Sequence, residues 1–375
     1  MSPETRAHLL RFYDGRMLPD EMFAAMSGDP GWFSRATIAR SARVRHFAPR
    51  PFDPGTLVIH DHGRQFDLYD YLSINRVTGL MVLKRGELAF ECYQNGLTAN
   101  TPWHSCSLAK SVASTLMGMA VQEGAIASLE QTIGDYLDMA GPYREVTLRQ
   151  LLGMCSGVRW NEAYSDSRSD RRGLLDAQTR CEPGAIVAFM QTLDAHAPAG
   201  SAWTYSTGES YLVAAVMEQA TGMSLAAYAS ERLWSRIGMQ HDATWWTESP
   251  GGMTVSGSGL YATLGDYARF GQFALEGGRA GGQALLPADW FARAGAAQHI
   301  HGGTVPYGYM WWIPQHPAPE LAGAFQAEGI YGQYIHVNPA HELVAVVLSA
   351  RNKPTAAYRL EISDNAFFAA LATAT

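Results

Sequence analysis

The sequence predicts an α/β body, an antiparallel sheet flanked by helices, interrupted by an all-helical inserted domain. Three observations predict it. A β-hairpin pattern over Gly79 to Tyr93 is followed by a helix of small and apolar residues on all sides, Ser107 to Gly124. Helical patterns joined by Gly/Pro turns then occupy residues 128–250, with little strand signal. Strand patterns return after Gly257, and the chain closes on an amphipathic helix. At 375 residues the chain exceeds one domain of ordinary size. The expected division is an N-terminal wrapping segment (1–75), an α/β domain assembled from 76–135 and 255–375, and a mainly helical domain (136–254).

Residues 1–75 are rich in Pro, Arg and His and read as irregular chain wrapped around the body. In the hairpin, two apolar runs flank Lys84-Arg85-Gly86-Glu87, and Gly86 is available for a positive φ. A helix apolar all round, stopped by Gly124, belongs at the centre of the molecule. Thr147 to Met154 and Ser210 to Ala220 are the clearest helices of the insert, and Ser224 caps another toward Arg236. Glu162 to Arg172 mixes Asp, Ser and Arg and reads as an exposed loop. Asp266 to Glu276 reads as helix. Tyr334 to Val337 and Leu343 to Ser349 read as strands around an Asn338-Pro339 turn.

Composition excludes several classes of function. With 28 basic and 35 acidic side chains the net charge is −7, and no region is strongly basic, so no nucleic-acid partner is expected. No run of about 18 apolar residues predicts a membrane span. Met1 to Leu10 lacks a basic stretch followed by an apolar run, so a secretory signal is not expected, and the chain reads as cytoplasmic. The four cysteines (Cys92, Cys106, Cys155, Cys181) are widely spaced and suggest neither a disulfide framework nor a zinc site. His60-Asp61-His62 and His299-Ile300-His301 have metal-compatible spacing but no third ligand nearby in sequence, so no metal or other cofactor is expected.

The chemistry centres on Ser107-Leu108-Ala109-Lys110. On a helix, residues three apart lie within roughly 60° around the axis, so both side chains point the same way. A serine that begins a helix also offers its backbone N–H to a developing oxyanion. A lysine desolvated in an apolar helix needs a partner or a purpose, and with a lowered pKa it accepts the serine proton. Tyr205, in a loop just before a helix, can present its phenol to a cleft. Gly329-Ile330-Tyr331-Gly332-Gln333 has glycines that let a strand backbone approach a ligand. His104 reads as pocket-edge or structural, Cys106 as a small buried hydrophobe, and Tyr309, Trp311 and Trp312 as either cleft lining or core.

Together these residues resemble the serine β-lactamase/penicillin-binding-protein superfamily, class C-like, and within it the 6-aminohexanoate-dimer hydrolases and family VIII carboxylesterases. The resemblance covers roughly residues 75 to 370. It rests on Ser107-x-x-Lys110, on Val146-Thr147-Leu148-Arg149-Gln150-Leu151-Leu152 with Ser156-Gly157, and on Tyr205-Ser206-Thr207-Gly208. It continues through Ser258-Gly259-Leu260 with Asp266-Tyr267-Ala268-Arg269-Phe270-Gly271, then Tyr307-Gly308-Tyr309-x-Trp311-Trp312, then Gly329-x-x-Gly332-Gln333-Tyr334.

That resemblance implies a β-lactamase/transpeptidase-like fold and a serine hydrolase acting on a small-molecule amide or ester, without a cofactor; a homodimer stays open. It implies Ser107 as the acyl-forming nucleophile, with Lys110 and Tyr205 sharing its activation; which of the two is the base stays open. Backbone N–H groups of Ser107 and Ile330 would form the oxyanion hole, and Tyr164, Thr207 and Tyr331 would face substrate. Two departures argue against β-lactam turnover as the main activity. Where β-lactamases and transpeptidases carry Lys-Thr-Gly or His-Thr-Gly, this chain has Ala327-Glu328-Gly329-Ile330, with no cation. Where they carry Tyr-x-Asn, it has Tyr205-Ser206-Thr207, without the amide.

Overall fold

The computed structural model describes residues 1–354 and 361–374. Its centre is a five-stranded antiparallel sheet of β1 (Val77–Lys84), β2 (Glu87–Tyr93), β3 (Phe325–Gly329), β4 (Gln333–Asn338) and β5 (Leu343–Ser349), in the order β3-β4-β5-β1-β2. The β1–β2 hairpin falls where the sequence places it. Its two-residue turn puts both Arg85 (φ +55°) and Gly86 (φ +74°) in the left-handed region, as the right-handed twist of a tight hairpin demands.

β1 is buried along its whole length because both faces of the sheet are covered. The period-2 alternation of a strand sorts its side chains into two cores. Met81 and Leu83 join Ile335, Val337, Val344 and Val346 on one face. Leu80 and Val82 join Leu343, Ala345 and Val347 on the other, under Phe367, Phe368 and Leu371.

The helices include α1 (Pro3–Tyr13), α2 (Leu108–Glu123), α3 (Thr207–Thr221), α4 (Leu264–Leu275) and α5 (Asp364–Ala374). α4 packs on β4 and β5, while α2 lies between α3 and β3. α2 ends at Gly124 in the left-handed conformation (φ +80°), the expected C-terminal stop. It is buried on every side, yet not purely apolar. Ser111 and Ser114 donate to the carbonyls of Met310 and Tyr309, each at 2.6 Å, so their burial leaves no hydroxyl unpaired.

Three expectations are corrected. Residues 1–75 are not irregular: they hold α1, helices Pro19–Ser27 and Leu68–Ile74, and strand Arg35–Ile38. The helix-start signal was present in Ser2-Pro3, since the Ser2 hydroxyl accepts the Thr5 N–H and Pro3 fits the first turn. The insert is not free of strand either. Ala243–Trp246 pairs with Arg35–Ile38 and Leu260–Thr263 in a four-stranded sheet with Pro102–His104. Its Trp245 and Trp246 are fully buried, and that packing is not visible as local alternation. Finally, Glu162 to Arg172 is an exposed loop only in its first part: Ala163, Ser165, Ser167 and Arg168 are exposed, but Asp170–Thr179 is helical, and Arg171 and Arg172 are buried.

Candidate active site

The four-stranded sheet delivers Trp103 and His104 to the start of α2. Between them and the helix, Cys106 is held at φ +47°, a conformation disfavoured for a residue with a side chain, and Ser107 follows as N-cap. An N-cap serine ordinarily turns its hydroxyl onto its own helix. Ser107 makes no such capping bond. Its Oγ lies 2.9 Å from Lys110 Nζ, which also donates to the Gly257 carbonyl at 2.9 Å.

Lys110 is 1% exposed. Burial pushes its amine down to about 7, with Arg171 acting in the same direction and Glu162 against it. The Tyr205 ring lies beside it, with Nζ 5.2 Å from the ring centroid. Burial and Glu162 push the Tyr205 phenol up, opposed by a hydrogen bond with the Ser107 side chain. Trp312 stacks on Tyr205 at 5.4 Å and Tyr307 meets it edge-on at 5.9 Å. Ser107, Lys110 and Tyr205, from two separate helix starts, therefore meet at one point.

That point opens into a cleft of about 350 Å³ lined by Ser107, Glu162, Tyr164, Tyr205, Trp312 and Ile330, with Glu328, Gly329 and Pro354 completing it. Strand β3 reaches Ser107 closely because Gly329 has no side chain. A Cβ there would stand 2.8 Å from the Ser105 carbonyl oxygen and 2.5 Å from Gln333 Oε1. Glu328 lines the cleft where a β-lactamase cation was sought. Gln326 donates to its carboxylate at 2.7 Å, and burial pushes it up to about 7.

Tyr164 and Ile330 both line the cleft. Thr207 is buried, and its hydroxyl donates to Glu162 at 2.5 Å. The substrate-side place expected for Tyr331 is corrected. Its ring is 0% exposed and its hydroxyl donates to the Phe12 carbonyl, because α1 covers it. Of the three aromatic residues left open, Trp312 lines the cleft, whereas Trp311 and Tyr309 are buried.

Sequence reasoning missed Glu162. Its carboxylate accepts the Thr207 N–H at 3.0 Å and the Trp160 indole N–H at 2.5 Å, so it caps α3 and places a negative charge near Lys110. Nothing in the local pattern distinguishes it from a loop acid. His104 is structural: its Nε2 accepts the Gly259 N–H at 3.1 Å, and burial pushes the ring down to about 3. It thereby steadies the segment whose Gly257 carbonyl holds Lys110. Among the described residues, no cluster of three or more His, Cys, Asp or Glu could hold a metal ion, and no helix is long and apolar enough to cross a membrane.

The Beta-lactamase family model matches residues 76–366. The chain belongs to the beta-lactamase family. It is 26% identical over 305 residues to the 6-aminohexanoate-dimer hydrolase of Paenarthrobacter ureafaciens, covering 77% of this chain and 76% of that one. A candidate 6-aminohexanoate-dimer hydrolase from Bacillus anthracis superposes with a TM-score of 0.79 at 24% identity, covering 94% of this chain and 92% of that one. A family VIII carboxylesterase superposes with a TM-score of 0.59 at 17% identity, over 79% and 91%. This beta-lactamase-family chain is a serine hydrolase.

Proposed function

We propose that this serine hydrolase cleaves small linear amides, of the 6-aminohexanoate-oligomer kind, and carboxyl esters through a Ser107 acyl-enzyme. The observation that carries the reading is the 2.9 Å separation of Lys110 Nζ and Ser107 Oγ at the mouth of the cleft. Ser107 Oγ attacks the carbonyl carbon and its proton passes to Lys110. Backbone N–H groups of Ser107 and Ile330 hold the oxyanion. The scissile bond breaks as the leaving amine or alcohol takes a proton from Tyr205, which Lys110 replenishes. Water, losing its proton to the same pair, then releases the acid and restores the Ser107 hydroxyl.

Lys110 is the base in this scheme because burial disfavours charge on both groups. An amine pushed down to about 7 is partly neutral at neutral pH, whereas a phenol pushed up keeps its proton and serves as donor. The two titrate as one coupled unit. Glu328 in the cleft disfavours a β-lactam carboxylate, which keeps lactam turnover a minor reading.

The test is Ser107→Ala assayed on short-chain nitrophenyl esters and on a matched amide and ester of one acyl group. Loss of turnover on both substrates supports the reading, and undiminished turnover rejects it. The amide-to-ester rate ratio of the unaltered enzyme decides which chemistry dominates.

A further inference from the structure

Next to Ser107, a narrow recess of about 10 Å³ is lined by Phe12, Tyr13, Tyr164, Arg171, Thr207 and Ser258, among others. It shares Ser107, Tyr164 and Ile330 with the larger cleft, so the two meet at the nucleophile. Phe12 and Tyr13 come from α1, outside the matched family region.

Arg171 is the unusual member. It is 2% exposed, and its Nε and Nη1 have no hydrogen-bond partner among the described residues. Its guanidinium sits 4.7 Å from the Tyr13 ring centroid and 5.7 Å from that of Tyr164. Those two rings are parallel, 6.0 Å apart. Glu162 acts on it only through space. A buried cation without a hydrogen-bonded carboxylate is costly, and the fold holds it beside the nucleophile with two rings and a side-chain hydrogen bond with Tyr13 of α1. Neighbouring Arg172 is by contrast fully engaged, donating to the Tyr164 carbonyl and to Asp14.

We propose that Arg171 is a specificity-determining residue whose guanidinium receives a terminal carboxylate of the substrate. The assignment rests on the hydrolase reading above and deepens it to carboxylate-bearing linear amides. The recess adjoins the cleft at Ser107, Tyr164 and Ile330, so a group bound in the cleft lies next to the recess that Arg171 lines. Guanidinium is suited to this because it is more weakly hydrated than an ammonium and its free Nε and Nη1 are donors for a carboxylate.

The test compares kcat/KM for N-hexanoyl-6-aminohexanoate and N-hexyladipamate, which carry the carboxylate on the amine and acyl side respectively, with counterparts ending in a hydroxymethyl group. The unaltered enzyme is expected to favour at least one carboxylate isomer by tenfold or more, chiefly through KM. Arg171→Met is expected to reduce that charged-to-neutral ratio at least tenfold, and Arg171→Lys to restore part of it. A ratio near one in the unaltered enzyme, which requires no variant to fold, overturns the assignment. So does a uniform loss in Arg171→Met that leaves the ratio intact, the mark of a purely structural role. If amides are cleaved without charge preference, only the Arg171 assignment fails. If Ser107→Ala retains full esterase activity, the hydrolase mechanism fails as well.

Discussion

Lys110 Nζ lies 2.9 Å from both the Gly257 carbonyl oxygen and Ser107 Oγ, so a carbonyl from one segment aims an amine at a hydroxyl on the next turn of its own helix. The carbonyl fixes the amine but supplies no formal charge. Burial therefore governs its protonation, and the amine stands near 7 rather than above 10.

Activity should follow that protonation. kcat/KM is expected to rise with pH through about 7 as Lys110 becomes neutral. Glu162 raises the Lys110 value, so Glu162→Gln should move the rising limb to lower pH. A pH–rate profile of both proteins checks this; a limb that stays in place in the variant contradicts it.

Stability carries a second pH signature. Lys110 is held below its unfolded value, so the unfolded chain binds the extra proton between about 7 and the ordinary lysine range of about 10.4, and stability from this group rises with pH there. Glu209 works oppositely. It is buried, its carboxyl is pushed up to about 8, and Ser156 donates to it at 2.5 Å. The folded protein holds its proton from the ordinary carboxyl range up to about 8, so its contribution is full at low pH and lost as pH rises. Glu209→Gln should flatten the fall in Tm between pH 5.5 and 8.5 and be the more stable protein at the upper end. Thermal melts across that range are the measurement, and an unchanged slope counts against it.

The close approach of β3 to the nucleophile gives a steric test. Gly329→Ala places a methyl against the Ser105 carbonyl and Gln333 and must displace the end of β3, next to Ile330. Misplacement on the order of 1 Å near reacting groups costs up to about a hundredfold. The expected result is a fall in kcat of at least tenfold, measured on a nitrophenyl ester, with the fold retained by circular dichroism.

Tyr331 should behave as structure, not as substrate contact. Tyr331→Phe removes the hydroxyl bond to the Phe12 carbonyl. Loss of one buried hydrogen bond is expected to cost about 1 kcal/mol, because the Phe12 carbonyl keeps the Gly15 N–H at 3.1 Å. KM should stay within about twofold. A denaturant titration and a KM determination together check this, and a large KM rise without destabilisation would return Tyr331 to the binding site.

Much of this was legible in the residues. The hairpin turn, the Gly124 stop and the register of Ser107 with Lys110 are local facts that three- and two-residue periodicities report directly. What escaped was non-local. Glu162 gains meaning only because α3 begins against it, and Arg171 only because α1 folds over it. Tyr331, expected to face substrate, is instead covered by α1. Trp245 and Trp246 form a strand because Arg35–Ile38, some two hundred residues away, pairs with them.

The account stands most directly on whether Ser107 is an activated nucleophile. Incubation with a fluorophosphonate at pH 8, followed by intact-mass and peptide mass spectrometry, is expected to add one phosphonyl group per chain, on Ser107, and to add none in Lys110→Met under the same conditions. An unlabelled protein, or an adduct on another residue with Ser107 untouched, would contradict it.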